Sequence, residues 1–455
     1  MTSYTAIALA VSAILLIGIR PGAWGFLRFI LTVHLLGDVA FGWIWTVMPT
    51  YAFMKYIDDA DRIYAAIFLA VAVLLTDTTY RAAQAVRRFV GESRLGESRL
   101  GAAGANIPSS GDDDASAGGG FSSAFLVAGL VCKLVFLAAT GVLTGARALS
   151  DLRPSDSIGL GAIVLLGDFL VPYGVAAIRR SGRARWPVVG DLLLLAAISF
   201  LSFSKAAFIT YAVIYGIAYV LAEGTRRTRK EFLNWKSLLI VALSFLVLGI
   251  KSQQRAGMLL DLSSSTMTQQ AVAGASARFM GGIFRAYAVA VREIRHGWPP
   301  LGGSYHTQAA ALIVPRALWP DKPHVASEQL YYMLGVTEET YGTAFAINAY
   351  GCLVFDFGLA GCLVGAAVLG LLLQIGDSQI PSWRGLRAPS RRGQRWHYLA
   401  TAWLYIAVQL SEGGIPIAIV CLLSFVLAYA FIQTINRAVH AILVAASTGP
   451  RELVA

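Results

Sequence analysis

Phe345–Ile375 reads FAINAYGCLVFDFGLAGCLVGAAVLGLLLQI, an apolar run broken by one charge, Asp356. About 20 helical residues cross the hydrocarbon core of a bilayer, so this run spans with residues to spare. The excess length, Asp356 and the glycines predict an interfacial or broken helix in its first third. Comparable runs recur on either side of it. They lie near 4–19, 24–48, 63–78, 121–143, 158–178 and 237–250, on both sides of Ser202-Phe203-Ser204-Lys205, and near 398–409 and 415–434. The expectation is an all-α, polytopic helical membrane protein with about 11 (10–12) transmembrane helices and one large external loop containing amphipathic helices.

Composition agrees. The 455 residues are 56% hydrophobic and 14% charged, with mean hydropathy +0.63, whereas a soluble domain carries roughly a quarter charged residues. The net charge of +11 does not indicate nucleic acid, because about half of the basic residues fall in short loops between apolar runs, where orientation signals are placed. Cys132, Cys352, Cys362 and Cys421 lie in or beside apolar segments without a CxxC or His/Cys ligand spacing. Neither a disulfide framework nor a zinc site is indicated. The first run has no basic leader or credible cleavage site and is read as a retained span.

Basic loops fix the sides. Arg179–Arg185, Arg226-Arg227 and Arg384–Arg395 are assigned to the cytoplasm. The predicted organisation is spans 1–3 in residues 1–80, a flexible cytoplasmic linker in 81–120, and spans 4–8 in 121–250. An external loop in 251–341, spans 9–11 in 342–434 and a cytoplasmic tail in 435–455 complete it. The amino terminus is then external and the carboxyl terminus cytoplasmic. The linker contains the duplication GESRLGESRLG and a DDD triplet and cannot bury enough apolar surface to order itself. His34 and Asp38, four apart on one helical face, read chiefly as a pair satisfying each other inside the bundle. Lys205, at the tip of an external hairpin beside Ser204, either snorkels to the interface or contacts a phosphate.

The external loop carries the chemistry. Arg278, Arg285 and Arg292 recur every seven residues, within about 40° of one another on a helix. Phe279, Ile283, Tyr287, Ala290 and Ile294 occupy the opposite face. This predicts an amphipathic helix lying along the membrane surface, its arginines meeting either anionic lipid headgroups or a bound phosphate. Arg255 precedes it, and Leu301–Leu330 (LGGSYHTQAAALIVPRALWPDKPHVASEQL) follows. There Pro315, Pro320 and Pro323 fix the backbone around Arg316 and Lys322. Guanidinium forks suit a phosphate group just above the bilayer, being bidentate and permanently charged. Such a cluster also stabilises charge developing on a departing phosphate. A hydroxyl attacking there would need a base, for which His306 is the first candidate and His324 the second. No DxD-like pair stands in the loop to hold a divalent ion, and no metal or cofactor is expected.

The order GGSY (302–305), IVPRALWPDKP (313–323) and NAYGCLVFDFGLAG (348–361) resembles the O-antigen and exopolysaccharide repeat-unit polymerases, the Wzy-like integral membrane glycosyltransferases. The resemblance covers roughly 276–370. It implies metal-independent polymerisation of oligosaccharide repeat units carried on undecaprenyl-pyrophosphate-type lipid, on the external face of a bacterial cytoplasmic membrane. Lipid-linked oligosaccharides and membrane lipid are the implied partners, with a chain-length regulator and a flippase as further ones. The family's looser Arg-x10-Gly pattern occurs from Arg292 to Gly303. A ligase passing finished glycan to another acceptor would share the donor chemistry. A flippase for the same lipids would be expected to show internal repeats, and none is present beyond the linker pentapeptide.

Overall fold

The computed structural model describes residues 24–32, 57–98, 118–146, 161–182, 186–199, 207–224, 282–307, 347–380, 391–412 and 414–447, together with Glu231, Asn234, Leu239 and Trp319. Among these residues every regular element is helical. The principal helices are α1 (Asp59–Ser98), α2 (Gly118–Ala139), α3 (Gly161–Arg180), α4 (Val188–Ser199), α5 (Ala207–Glu223), α6 (Gly282–Arg295), α7 (Ala349–Gln379), α8 (Arg391–Glu412) and α9 (Gly414–Ser447). Residues 24–32 form a further helical stretch ahead of α1. Ala60–Val90, Ala349–Gln379 and Ile417–Ile435 are long and apolar enough to cross a membrane, and 123–139, 188–199 and 210–223 are shorter apolar helices. This is consistent with a membrane protein.

Two seams of close backbone contact organise the bundle. In the first, α7 lies against α1 at Gly370, where a Cβ would stand 2.1 Å from Thr79 Oγ1 and 2.4 Å from the Thr76 carbonyl. Small residues let apolar helices approach closely where no water drives them together. Polar contacts then tie the seam: Thr76 Oγ1 donates to the Ala366 carbonyl at 2.9 Å and Tyr350 Oη donates to Thr76 Oγ1 at 3.0 Å. Further along, Tyr80 Oη and Trp403 Nε1 both donate to Asp377. The second seam joins α2 and α3 through Gly129 and Gly174, where a Cβ would stand 2.7 Å from the Val171 nitrogen and 2.5 Å from the Leu126 nitrogen respectively. Lys133 and Asp168 form a buried ion pair across it. Stacked and edge-on rings of Phe169, Tyr173, Tyr398 and Phe425 bind α3, α8 and α9 together.

Three sequence expectations are corrected. The span ending near residue 80 continues as helix to Ser98, so Arg81–Ser98 is not linker. RAAQAVRRF supplies good helix formers to an exposed extension of α1, and its polar residues need no burial to remain helical. Likewise α9 runs to Ser447, beyond the expected span end at Thr434. The helix expected along the membrane surface is instead an interior one. Phe284 and every residue from Ala286 to Val291 are buried, and α6 packs on α7 and α1. The small side chains of Ala286, Ala288 and Ala290 let neighbours close on the helix over 286–291, which the arginine periodicity alone does not reveal, while Arg292 and Arg295 at its end stay partly exposed. The 345–375 run does break, at Gly358 (φ 71°, ψ −172°), just past the first third in which the break is expected.

Candidate functional site

The break at Gly358 builds the site. Its backbone lies in a region open essentially to glycine alone, and it turns the end of the first segment of α7 toward the chain that leaves α6. The Leu301 and Gly302 amides donate to the Phe355 and Asp356 carbonyls at 3.1 and 2.8 Å. Gly302 and Gly303 both take positive φ (64° and 92°), and a Cβ on Gly303 would meet the Phe357 ring at 3.3 Å. The two glycines thus lay residues 301–303 flat against the broken helix. Residues 304–307 follow as a single helical turn, with the Ser304 carbonyl accepting from Thr307 Oγ1 at 3.0 Å.

That turn delivers His306 to Asp356. The Asp356 side chain is fully buried. It accepts the Tyr305 amide on Oδ1 at 3.0 Å and the His306 amide on Oδ2 at 2.9 Å. The His306 ring closes on the same oxygen through Nδ1. A carboxylate partner on Nδ1 fixes the proton there, which leaves Nε2 as the nitrogen with the lone pair. His306 Nε2 is buried and has no hydrogen-bond partner among the described residues. Phe357 lies against the ring at a centroid distance of 5.4 Å. The arrangement is a histidine with its tautomer and orientation set from one side and an unengaged base on the other. Buried polar atoms are nearly always paired, so an exception beside a helix break marks a place where a reacting group can be received.

A cationic cluster flanks it. Asp61, buried at the start of α1, receives Arg292 Nε at 3.4 Å and Arg295 Nη1 at 3.1 Å, with His296 Nε2 at 3.7 Å. Arg292 also meets Glu293 at 3.6 Å. Arg295 lies 4.7 Å over the Tyr64 ring. Asp61 is held by its own helix start, where its amide donates to Asp58 Oδ1 at 2.7 Å. The helix break lies against the end of α6 that carries this cluster, since a Cβ on Gly358 would stand 3.9 Å from Ile294 Cγ2 and 3.3 Å from Pro300 Cγ.

Of the sequence candidates, His306 has a side chain that the structure describes, and it is paired with Asp356. Arg285 lies on α6, and its side chain is outside the described residues, as are Arg255, Arg278, Arg316, Lys322, Lys205, His324, His34 and Asp38. From the IVPRALWPDKP stretch Trp319 alone is described, and it is exposed. The structure adds Asp356, Asp61, Arg295 and His296 to the candidates. Asp356 carried a signal, since a carboxylate inside an apolar run demands a partner, but nothing in the sequence pairs it with a residue fifty positions earlier. Compared with known proteins, the chain matches no family model, no curated protein and no solved structure.

Proposed function

We propose that the chain is an integral membrane glycosyltransferase that polymerises lipid-linked oligosaccharide repeat units at the external face of a bacterial cytoplasmic membrane. The observation that carries this reading is the His306–Asp356 dyad with its unengaged Nε2. His306 Nε2 takes the proton from an acceptor sugar hydroxyl. That oxygen attacks the anomeric carbon of the donor glycan, and the bond to the lipid pyrophosphate breaks, its electron pair leaving with the phosphate oxygen. The imidazolium formed on His306 is stabilised by Asp356 and gives its proton to water. Pyrophosphate is already a good leaving group and needs no general acid. Arg255, Arg278, Arg285, Arg316, Lys322 and Lys205 are the cations proposed to bind pyrophosphate or glycan. The expected eleven spans, external amino terminus and cytoplasmic carboxyl terminus form the frame of this reading. In support of it, segments assigned outside (the start of α1 and residues 292–307) meet at one end of α7. At its other end, Asp377 meets α1 and α8 beside the basic loop.

The test is His306→Ala and Asp356→Asn in cells that make the polymer, followed by extraction of the lipid-linked intermediates, sizing of the glycan and determination of its sidedness. Loss of a positioned base costs about 10²–10⁴ in rate, so His306→Ala should leave single repeat units on the external leaflet at normal protein levels. Asp356→Asn should do the same more mildly. Long polymer stranded on the carrier would instead indicate a ligase, and single units trapped on the cytoplasmic leaflet a flippase. Wild-type polymer from His306→Ala would refute the assignment.

A further inference from the structure

At the opposite end of α7 from the dyad, α7, α8 and α9 enclose an apolar crevice of about 190 Å³. Its lining includes Gly376 of α7, Trp396, Leu399 and Trp403 of α8, and Leu422 and Val426 of α9. Gly358 and Gly376 are eighteen residues apart on α7 (376 − 358), about 27 Å of helix and close to the thickness of a bilayer's hydrocarbon core. The crevice therefore belongs to the other leaflet from the dyad, and what it binds does not depend on the function proposed above. Leu422 and Val426 are also exposed, as is Ile375 beside Gly376 on α7. An occupant enters sideways from the membrane.

Both walls change character in the same direction. On α9, Leu422 and Val426 are followed at helical spacing by Tyr429, Gln433 and Arg437, which share one face. On α8, which runs the other way, the same change leads from Trp403 through Leu399 and Trp396 to Arg395. The two stripes converge on Tyr429: the charges of Arg395 and Arg437 both act on its hydroxyl, and Gln433 Nε2 donates to it at 2.7 Å. Arg395 and Arg437 are exposed, and neither has a carboxylate at ion-pair distance among the described residues. Asp377, the carboxylate nearest the crevice, already receives Tyr80 Oη at 2.7 Å and Trp403 Nε1 at 2.9 Å. An apolar slot whose walls lead along α8 and α9 to two guanidiniums has the polarity profile of one amphiphile, a hydrocarbon chain with a phosphate at its end.

We propose that this crevice binds one acyl chain of an anionic glycerophospholipid of the leaflet opposite the dyad, with the lipid phosphate held by Arg395 and Arg437. The full-length protein, purified in detergent and delipidated, is melted with phosphatidylglycerol, with phosphatidylcholine of identical chains, and with soluble glycerol phosphate. Retained lipid is counted by native mass spectrometry. Phosphatidylglycerol should raise the melting temperature by several degrees and leave one lipid on each chain, whereas the other two should do neither. Arg395→Gln with Arg437→Gln should abolish both effects without changing the lipid-free melting temperature, since both side chains are exposed. Val426→Trp, which fills the slot and leaves the cations, should also abolish retention. The proposal is overturned if phosphatidylglycerol gives no shift, if phosphatidylcholine or glycerol phosphate matches it, or if either variant keeps its lipid.

Discussion

Lys133–Asp168 and His306–Asp356 are both buried pairings of a basic side chain with a carboxylate, and they are built to opposite ends. Lys133 and Asp168 sit face to face across the α2–α3 seam with almost no exposure, and the Lys133 ammonium also lies 5.7 Å over the Tyr211 ring. Its charge is enclosed on every side. His306 instead shows its partner only one nitrogen and keeps the other free. A fully enclosed pair can hold helices together. A half-engaged one can exchange a proton with something else. Both carboxylates are buried, and the difference that matters here lies in whether the base has an unused atom.

The largest effect expected from this contrast is on stability. Lys133→Met alone abandons the Asp168 carboxylate inside the bundle, and breaking one side of a buried pair costs about 3–5 kcal/mol. Protein yield and melting temperature should collapse. Lys133→Met combined with Asp168→Leu removes both charges and should recover most of the loss, because apolar replacement of a whole buried pair is often neutral. The double variant should also make polymer. Normal accumulation without polymer would move Lys133–Asp168 from architecture into mechanism, and the contrast with His306–Asp356 would fail.

A second variant probes the open pair through its backbone. Gly358→Ala forces a Cβ into a conformation that costs about 1–3 kcal/mol for other residues, with Pro300 Cγ only 3.3 Å away. The site should relax away from residues 301–306, so that activity falls much further than the melting temperature. Gly216→Ala on α5 is the matched control. A Cβ there meets nothing within 4 Å, and the change should be neutral or stabilise by up to about 1 kcal/mol. Equal activity in the two variants would detach the helix break from the site.

These features differ in how far the sequence announces them. The apolar run from 345 to 375 shows its own helix, and its glycines and Asp356 show that the helix is interrupted but not at which glycine, because both signals are local. His306 stands out as a histidine in a polar stretch beside a membrane segment. Its partner does not, because the contact exists only once Gly302, Gly303 and Gly358 have turned two distant segments onto each other. The Lys133–Asp168 pair is hidden for the same reason, being two isolated charges in separate apolar runs. Periodicity misleads at α6. The seven-residue arginine spacing suggests a wet face, but the alanines between the arginines allow neighbours to bury the helix. Arg292 then spends part of its charge on Asp61, a residue that the sequence presents as one of several acids in a short loop.

Asp61 gives the last and smallest test, because it resembles the enclosed pair in its own burial and differs in its partners. The Asp61 side chain is 7% exposed, but those of Arg292, Arg295 and His296 are 32%, 46% and 61% exposed. In Asp61→Asn the cations are not stranded, since each can turn to water, and the amide oxygen still accepts a hydrogen bond. The Asp58 cap on the residue 61 amide also remains. Half-exposed ion pairs contribute roughly 0–1 kcal/mol, so the melting temperature should fall by little, and by less still at high salt, where the lost attraction is already screened. Melting curves of wild type and Asp61→Asn at low and high ionic strength measure this directly. A large, salt-independent loss would mean that Asp61 is enclosed in the manner of Asp168. The cations around it would then be structural, leaving His306 without a neighbouring cluster of available charge.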